Sequence, residues 1–360
     1  MKDTSPQAAA MVRTQAAAGQ TIPLWTYSTV AQDGKTYTGS MVGRSPFAHG
    51  HRATTVPTYI VPVIFTFADS GDVFDPTVYD GCAPANESVV TLIKNSPLFG
   101  EPDFSMNGVH IGVSQYVDAF QRASFWSKVA GTPYHTQFST APTVLPAVQV
   151  TVPAAHGVSE SYQDYNGCQD NGKIDDDWWN TQIQTVIMPQ LAAEGVGPAN
   201  FPQFLLDSVA EYLGGSPANC CALGYHNAYM NNGVFQTYSV NEYDTSGAFN
   251  GSTGTMSHEI AEWLDDPAIN NSVPPWGHEG QQSACQDNLE VGDPLSPNYG
   301  TPTSPYFLTN TGTGVQYTLQ ELAFYSWFLD SSPSLGAGGK YSDNGTFSGF
   351  AKPCPPGGTN

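Results

Sequence analysis

His258 and Glu262 stand four residues apart, with Glu259 directly after the histidine. In an α-helix, residues four apart lie one above the other on a single face. An imidazole and a carboxylate so placed present two ligands to one point, and carboxylate oxygen is an accepted zinc ligand. Glu259 then sits where a general base acts on a water activated by the metal. The chemistry this pattern points to is metal-assisted hydrolysis, and it needs a third ligand from elsewhere. His226, in a strand-like segment upstream, is one source. His278 lies in a loop and ranks below it, His49 and His51 read as solvated loop residues, and His110, His135 and His156 belong to no constellation.

The stretch 255–267 has the features of a helix that holds these groups. Thr253, Thr255 or Ser257 caps its first turn and Pro267 stops it. Met256, Ile260, Trp263 and Leu264 recur at three- and four-residue spacing on one face, with His258, Glu262 and Asp265 or Asp266 along another. Such an acidic face is ordinarily solvated, but solvation does not account for His258.

Around this helix the chain alternates strands and helices. Residues 25–30 and 35–42 flank Asp33-Gly34, and 223–230 and 234–240 flank Asn231-Asn232-Gly233, two hairpin signals. The β-branched run 56–67 predicts a buried strand with its prolines at the start or edge. Further strands are expected at 109–113, 144–152, 204–213 and 317–328, and helices at 87–94, 116–129 and 178–194. Residues 170–175 resemble a fragment of a calcium loop without its bidentate Glu and read as a solvated turn. The fold class is α+β. Residues 1–20 read as a mobile leader, 21–330 as one unit with a β-rich half (21–155) and a catalytic half (156–330), and 331–360 as a Gly/Ser/Pro-rich tail.

Composition narrows the function. The formal charge is −21 although only 12% of residues are charged, because Lys and Arg total 11. No basic patch exists to neutralise phosphates, which argues against nucleic acid and anionic membrane surfaces as partners. No apolar run is long enough for a membrane span. The six cysteines (82, 168, 220, 221, 285, 354) predict up to three disulfides and an oxidising compartment. Cys220 and Cys221 are expected to bond to two different partners, since a ring between neighbours is strained. Residues 1–6 hold no hydrophobic segment, so the expectation is a secreted protein without its signal peptide.

Two resemblances add to this. The order of segments across residues 223–295 is similar to that of the gluzincins, the thermolysin-like zinc peptidases, with Glu262 in place of the second His of their motif. That resemblance implies a zincin-like active-site helix packed on a mixed or antiparallel sheet. It implies Glu290 as third metal ligand beside His258 and Glu262, with Asp293 hydrogen-bonded to His258. It also implies Asn227, Ala228 and Tyr229 as the edge strand that pairs with a substrate backbone. The ion would be zinc or another divalent metal. The wording of 257–262, Asp266-Pro267, 290–293 and 221–226 also resembles secreted bacterial proteins distantly similar to the plant phosphate-induced, Exordium-like family, which implies secretion and shared architecture.

The leading expectation is therefore a secreted metal-dependent hydrolase, a zinc endopeptidase with Glu259 as base, acting on polypeptide or another extracellular polymer. One alternative is a metal-free acidic carboxyl hydrolase using two of Glu259, Glu262, Asp265 and Asp266. Another is a non-catalytic surface or wall-binding protein. No Gly-x-Ser-x-Gly occurs, which disfavours serine hydrolase chemistry.

Overall fold

A computed structural model describes residues 6–48, 53–161, 170–249, 253–277, 279–280, 284–295, 305–309, 314–347, 349 and 354. His49, His51, His278, Cys168 and residues 162–169 lie outside the described residues. The fold is α+β, as the alternation of patterns predicts.

Its centre is a mixed seven-stranded sheet. Thr58–Phe67 runs parallel to Phe201–Asp207, which runs parallel to Val234–Tyr243; Gly224–Asn231 pairs antiparallel at the far edge. The central strands are apolar on both faces because both faces are covered. Ile60, Phe201 and Leu205 face a core that includes Trp263 and Phe120. Val61, Phe65, Phe204 and Val240 face a second core with Trp179, Ile183 and Leu191. The sheet interleaves strands from before and after residue 156, so the two halves read from sequence share one framework.

The expectation that prolines sit at a strand start or edge fails at Pro62, which lies inside Thr58–Phe67 opposite Leu205. The physical reason is a break on its other side. Thr143–Val144 pairs with Tyr59 and Ile60, and Val148–Val152 pairs from Val63 onward. Pro62 falls in the gap between them, where no ladder bond asks for its missing N–H.

Both hairpins form where expected. At the second, Asn232 and Gly233 both take positive φ (50° and 81°), the requirement of a tight two-residue turn. Residues 204–213 are strand, as Phe201–Asp207 and Val209–Tyr212. The helix pattern 178–194 divides into Asp176–Gln182 and Met188–Ala193, joined by a π turn at Ile183–Ile187. The expected strand 317–328 is strand only over Gln316–Gln320 and ends in the helical turn Tyr325–Phe328. Asn171–Asp175 is a strand, and Asp175 caps the following helix by accepting from Trp178 N at 3.0 Å.

Two further expectations are corrected. Residues 6–17, assigned to a mobile leader, form a helix that Gln15 ties down: its Nε2 donates to Gly233 O at 2.7 Å and its Oε1 accepts from Phe235 N at 2.9 Å. Within the Gly/Ser/Pro-rich tail, Ser342 and Thr346 both donate to the buried Glu321. Cys220 and Cys221 are bonded to each other rather than to two partners; a cis peptide brings their Cα atoms to 3.0 Å. Cys285 pairs with Cys354, and Cys82 is also disulfide-bonded. No helix among the described residues is long and apolar enough to cross a membrane.

Candidate metal centre

The helix that carries the motif spans Gly254–Asp265. Thr253 stands at its N-cap without capping it, because its Oγ1 donates instead to Thr318 O at 2.9 Å. The apolar face packs as the spacing predicts. Trp263 stacks on Phe201 at 3.7 Å and its Nε1 donates to Thr237 Oγ1 at 2.9 Å, fixing the helix to the sheet. Gly224 makes the close approach possible, since a Cβ there would come within 2.7 Å of Thr255 Cγ2 and 3.3 Å of Glu259 Cγ.

The polar face is not solvated. His258 is 8% exposed, Glu259 5%, Glu262 4% and Glu290 7%. Burying carboxylates is costly unless they are paired, and here two imidazoles meet them. His226 Nδ1 lies 3.5 Å from an oxygen of Glu259 and 3.5 Å from one of Glu262. His258 Nε2 lies 3.0 Å from Glu262, 3.6 Å from Asp293 and 3.9 Å from Glu259. Strand alternation explains why His226 takes part: it shares the helix-facing side of the edge strand with Gly224 and Ala228.

Two groups of donors could each hold a metal ion: His226, Glu259 and Glu262, and His258, Glu262 and Asp293. Glu290, assigned from the gluzincin resemblance as third ligand, belongs to neither group; its carboxylate accepts from Asn288 Nδ2. His226, the alternative, belongs to the first. Asp293 approaches Nε2 of His258 rather than standing behind Nδ1. The residue behind Nδ1 is Gln320, whose Oε1 lies 3.0 Å from it and whose Nε2 donates to Gly292 O at 2.6 Å. A partner at Nδ1 fixes the tautomer that presents Nε2 as a ligand. Gly292 forms the wall beside this ring, because a Cβ there would meet His258 Nδ1 at 2.4 Å. Its N–H donates to Glu262 Oε1 at 3.0 Å.

Gln320 carried no signal in the sequence, being a neutral amide 62 residues beyond His258. Gly292 did, inside the Glu-x-x-Asp segment. Asp265 and Asp266 join neither donor group: Asp266 accepts from the backbone of Asn270 and Asn271 to shape the turn after the helix. Of the residues assigned to substrate, Ala228 faces the helix side. Asn227 faces the other and donates to Asn180 at 3.0 Å, and Tyr229 packs near Tyr238. Their strand is an edge of the main sheet.

Electrostatics follow from this crowding. Burial alone would depress the His226 imidazolium, but Glu259, Glu262 and Glu290 hold it well above the ordinary value. His258 is raised in the same way by Glu262, Glu259 and Asp293. Burial pushes Glu259 up against the pull of the imidazoles. For Glu262 the balance reverses: burial is outweighed by His258 and His226, and its carboxyl falls below the usual range. Burial and the neighbouring Glu262 push Glu290 well up. Neither a protein-family model, nor a curated protein, nor a solved structure matches the chain.

Proposed function

We propose that this chain is a secreted metal-dependent hydrolase, most simply a zinc endopeptidase, working from the buried cluster on Gly254–Asp265. The observation that carries this reading is the spacing at His226, whose Nδ1 stands 3.5 Å from both Glu259 and Glu262. A charge-assisted hydrogen bond would close to about 2.7–2.9 Å. Ligands held about 2.0–2.1 Å from a tetrahedral ion lie roughly 3.4 Å from one another. At Nδ1, His226 thus makes no ion pair of normal hydrogen-bond length, which suits a ligand.

A divalent ion held there supplies Lewis acidity and activates water near neutral pH. The protein's own groups do the rest. Gln320 aims His258, Gly292 N–H anchors Glu262, and Glu259 takes and returns the proton of the attacking water. Among the described residues, Gly224–Asn231 is paired on one side only, and its other side offers backbone groups to an extended polypeptide. Disulfides at Cys285–Cys354 and Cys220–Cys221 support secretion. A carboxylate in place of a second helix histidine leaves one ligand fewer to lose to protons in acid, in keeping with the acidic composition.

One observation favours the metal-free alternative: the Glu259 and Glu262 carboxyls are pushed apart in opposite directions, as an acid and a base require. Elemental analysis of protein purified without chelator, together with cleavage of casein across about pH 3 to 8, separates the readings. Stoichiometric transition metal and cleavage abolished by chelation are expected. Cleavage that survives chelation moves the chemistry to the carboxyl pair. Neither metal nor cleavage returns the chain to the wall-binding class.

A further inference from the structure

We propose that the cluster holds two divalent ions bridged by Glu262, rather than one. The proposal rests on the metal-centred reading above. The donors fall into two groups of three, each with its ligand atoms within 4.8 Å of one another, and the two share only Glu262. The imidazoles belong to different groups.

Glu262 is turned so that it serves both sides, directing Oε2 to His226 at 3.5 Å and Oε1 to His258 at 3.0 Å. Glu259 belongs to the His226 group alone, its Oε2 3.5 Å from that ring. A carboxylate that offers one oxygen to either side is the bridge of a two-ion site, where the ions stand about 3.5–4 Å apart. His226 is then a terminal ligand on one side, and His258 with Asp293 on the other.

One imidazole for each ion and a shared carboxylate suit Zn²⁺, Fe²⁺ or Mn²⁺.

The test loads the intact, chelator-stripped chain with Zn²⁺, removes free metal by gel filtration and counts ions per chain. Wild type should bind two. Asp293→Asn, which alters no volume, should bind one, as should His226→Ala; Glu262→Gln should fall below one. Retained cooperative melting of Asp293→Asn and Glu262→Gln shows that lost metal is not lost fold, and these two decide the matter if His226→Ala does not fold. In the Co²⁺ form, the paramagnetic signal should grow over the first equivalent and be altered by coupling over the second. Saturation of wild type at one ion overturns the two-ion centre and leaves the hydrolase reading standing. Saturation at none overturns both.

Discussion

Two histidine–carboxylate arrangements built on buried carboxylates differ in kind. Asp118, fully buried on the helix Tyr116–Ser124, accepts from His135 Nδ1 at 2.8 Å, from Thr136 N at 2.5 Å and from Ser114 Oγ. Every oxygen is partnered at hydrogen-bond distance. At the Glu262 cluster the His226 Nδ1 contacts stand off at 3.5 Å. Both regions bury carboxylates beside imidazole, so burial alone does not mark a site. Spacing does. The first arrangement closes a network and the second leaves room in the middle of one.

The largest expected effect sharpens that contrast at Glu259. Glu259→Gln removes the base while keeping its shape, so hydrolysis should fall about 10²–10⁴-fold with melting temperature nearly unchanged; metal bound per chain stays level if Glu259 acts as base alone and falls if it also ligates beside His226. Full activity against casein in this variant would remove Glu259 from the mechanism.

Asp118→Ala should do the reverse. It strands Thr136 N–H, Ser114 and His135, and removing one partner of a buried pair costs about 3–5 kcal/mol. Chemical denaturation should register the loss, while metal bound per folded chain stays at the wild-type level. A drop in metal content there would break the distinction between the two networks.

Gln320→Ala tests whether His258 is aimed from behind. Loss of such an orienting partner typically lowers metal affinity about 10–100-fold. Competition with a chromophoric chelator measures it, and an unchanged affinity would mean that the imidazole is held by packing alone.

The smallest effect is in pH dependence. The raised His226 and His258, and the raised Glu211, Glu242, Glu290 and Asp265, all bind protons more tightly folded than unfolded. Their stabilisation is complete below the unfolded pKa and is lost as pH rises through the folded one. Asp343, pushed from 3.8 to about 7 by burial, sets one such window. Depressed Glu262 acts oppositely, but its loss falls only in strong acid. Metal-free protein should therefore melt several degrees higher in mild acid than at neutral pH. Saturating Zn²⁺ should reverse the trend, because ligands that shed protons bind metal better as pH rises. Scanning calorimetry in chelator and in zinc reads both slopes, and parallel slopes would contradict metal binding at these imidazoles.

The sequence made the periodic and punctuated parts of this fold legible. Met256, Ile260, Trp263 and Leu264 marked the helix face, and Asn232-Gly233 marked a turn that only permissive residues adopt. What periodicity could not tell was what lay above the polar face of that helix. An acidic stripe reads the same whether water or a sheet covers it, and here the edge strand and the segment around Gly292 cover it. The meeting of His226 with Glu259 and Glu262 is likewise a matter of strand packing, with no local pattern to announce it. Local chemistry also misled at Cys220-Cys221, which are bonded to each other rather than to two partners. The strand expected to run on to residue 328 ends at Gln320, whose side chain stands behind His258 Nδ1.

Gly292 gives the centre a brittle inheritance. The wall beside His258 is bare backbone, and the smallest side chain there would occupy the space of the ring. A single-letter change at that position would displace the imidazole while leaving every candidate ligand in the text of the gene. Chains descended from this one could therefore keep the whole motif and lose the placing of its imidazole. Among such chains, the letter at this glycine would report a displaced His258 sooner than the histidines themselves.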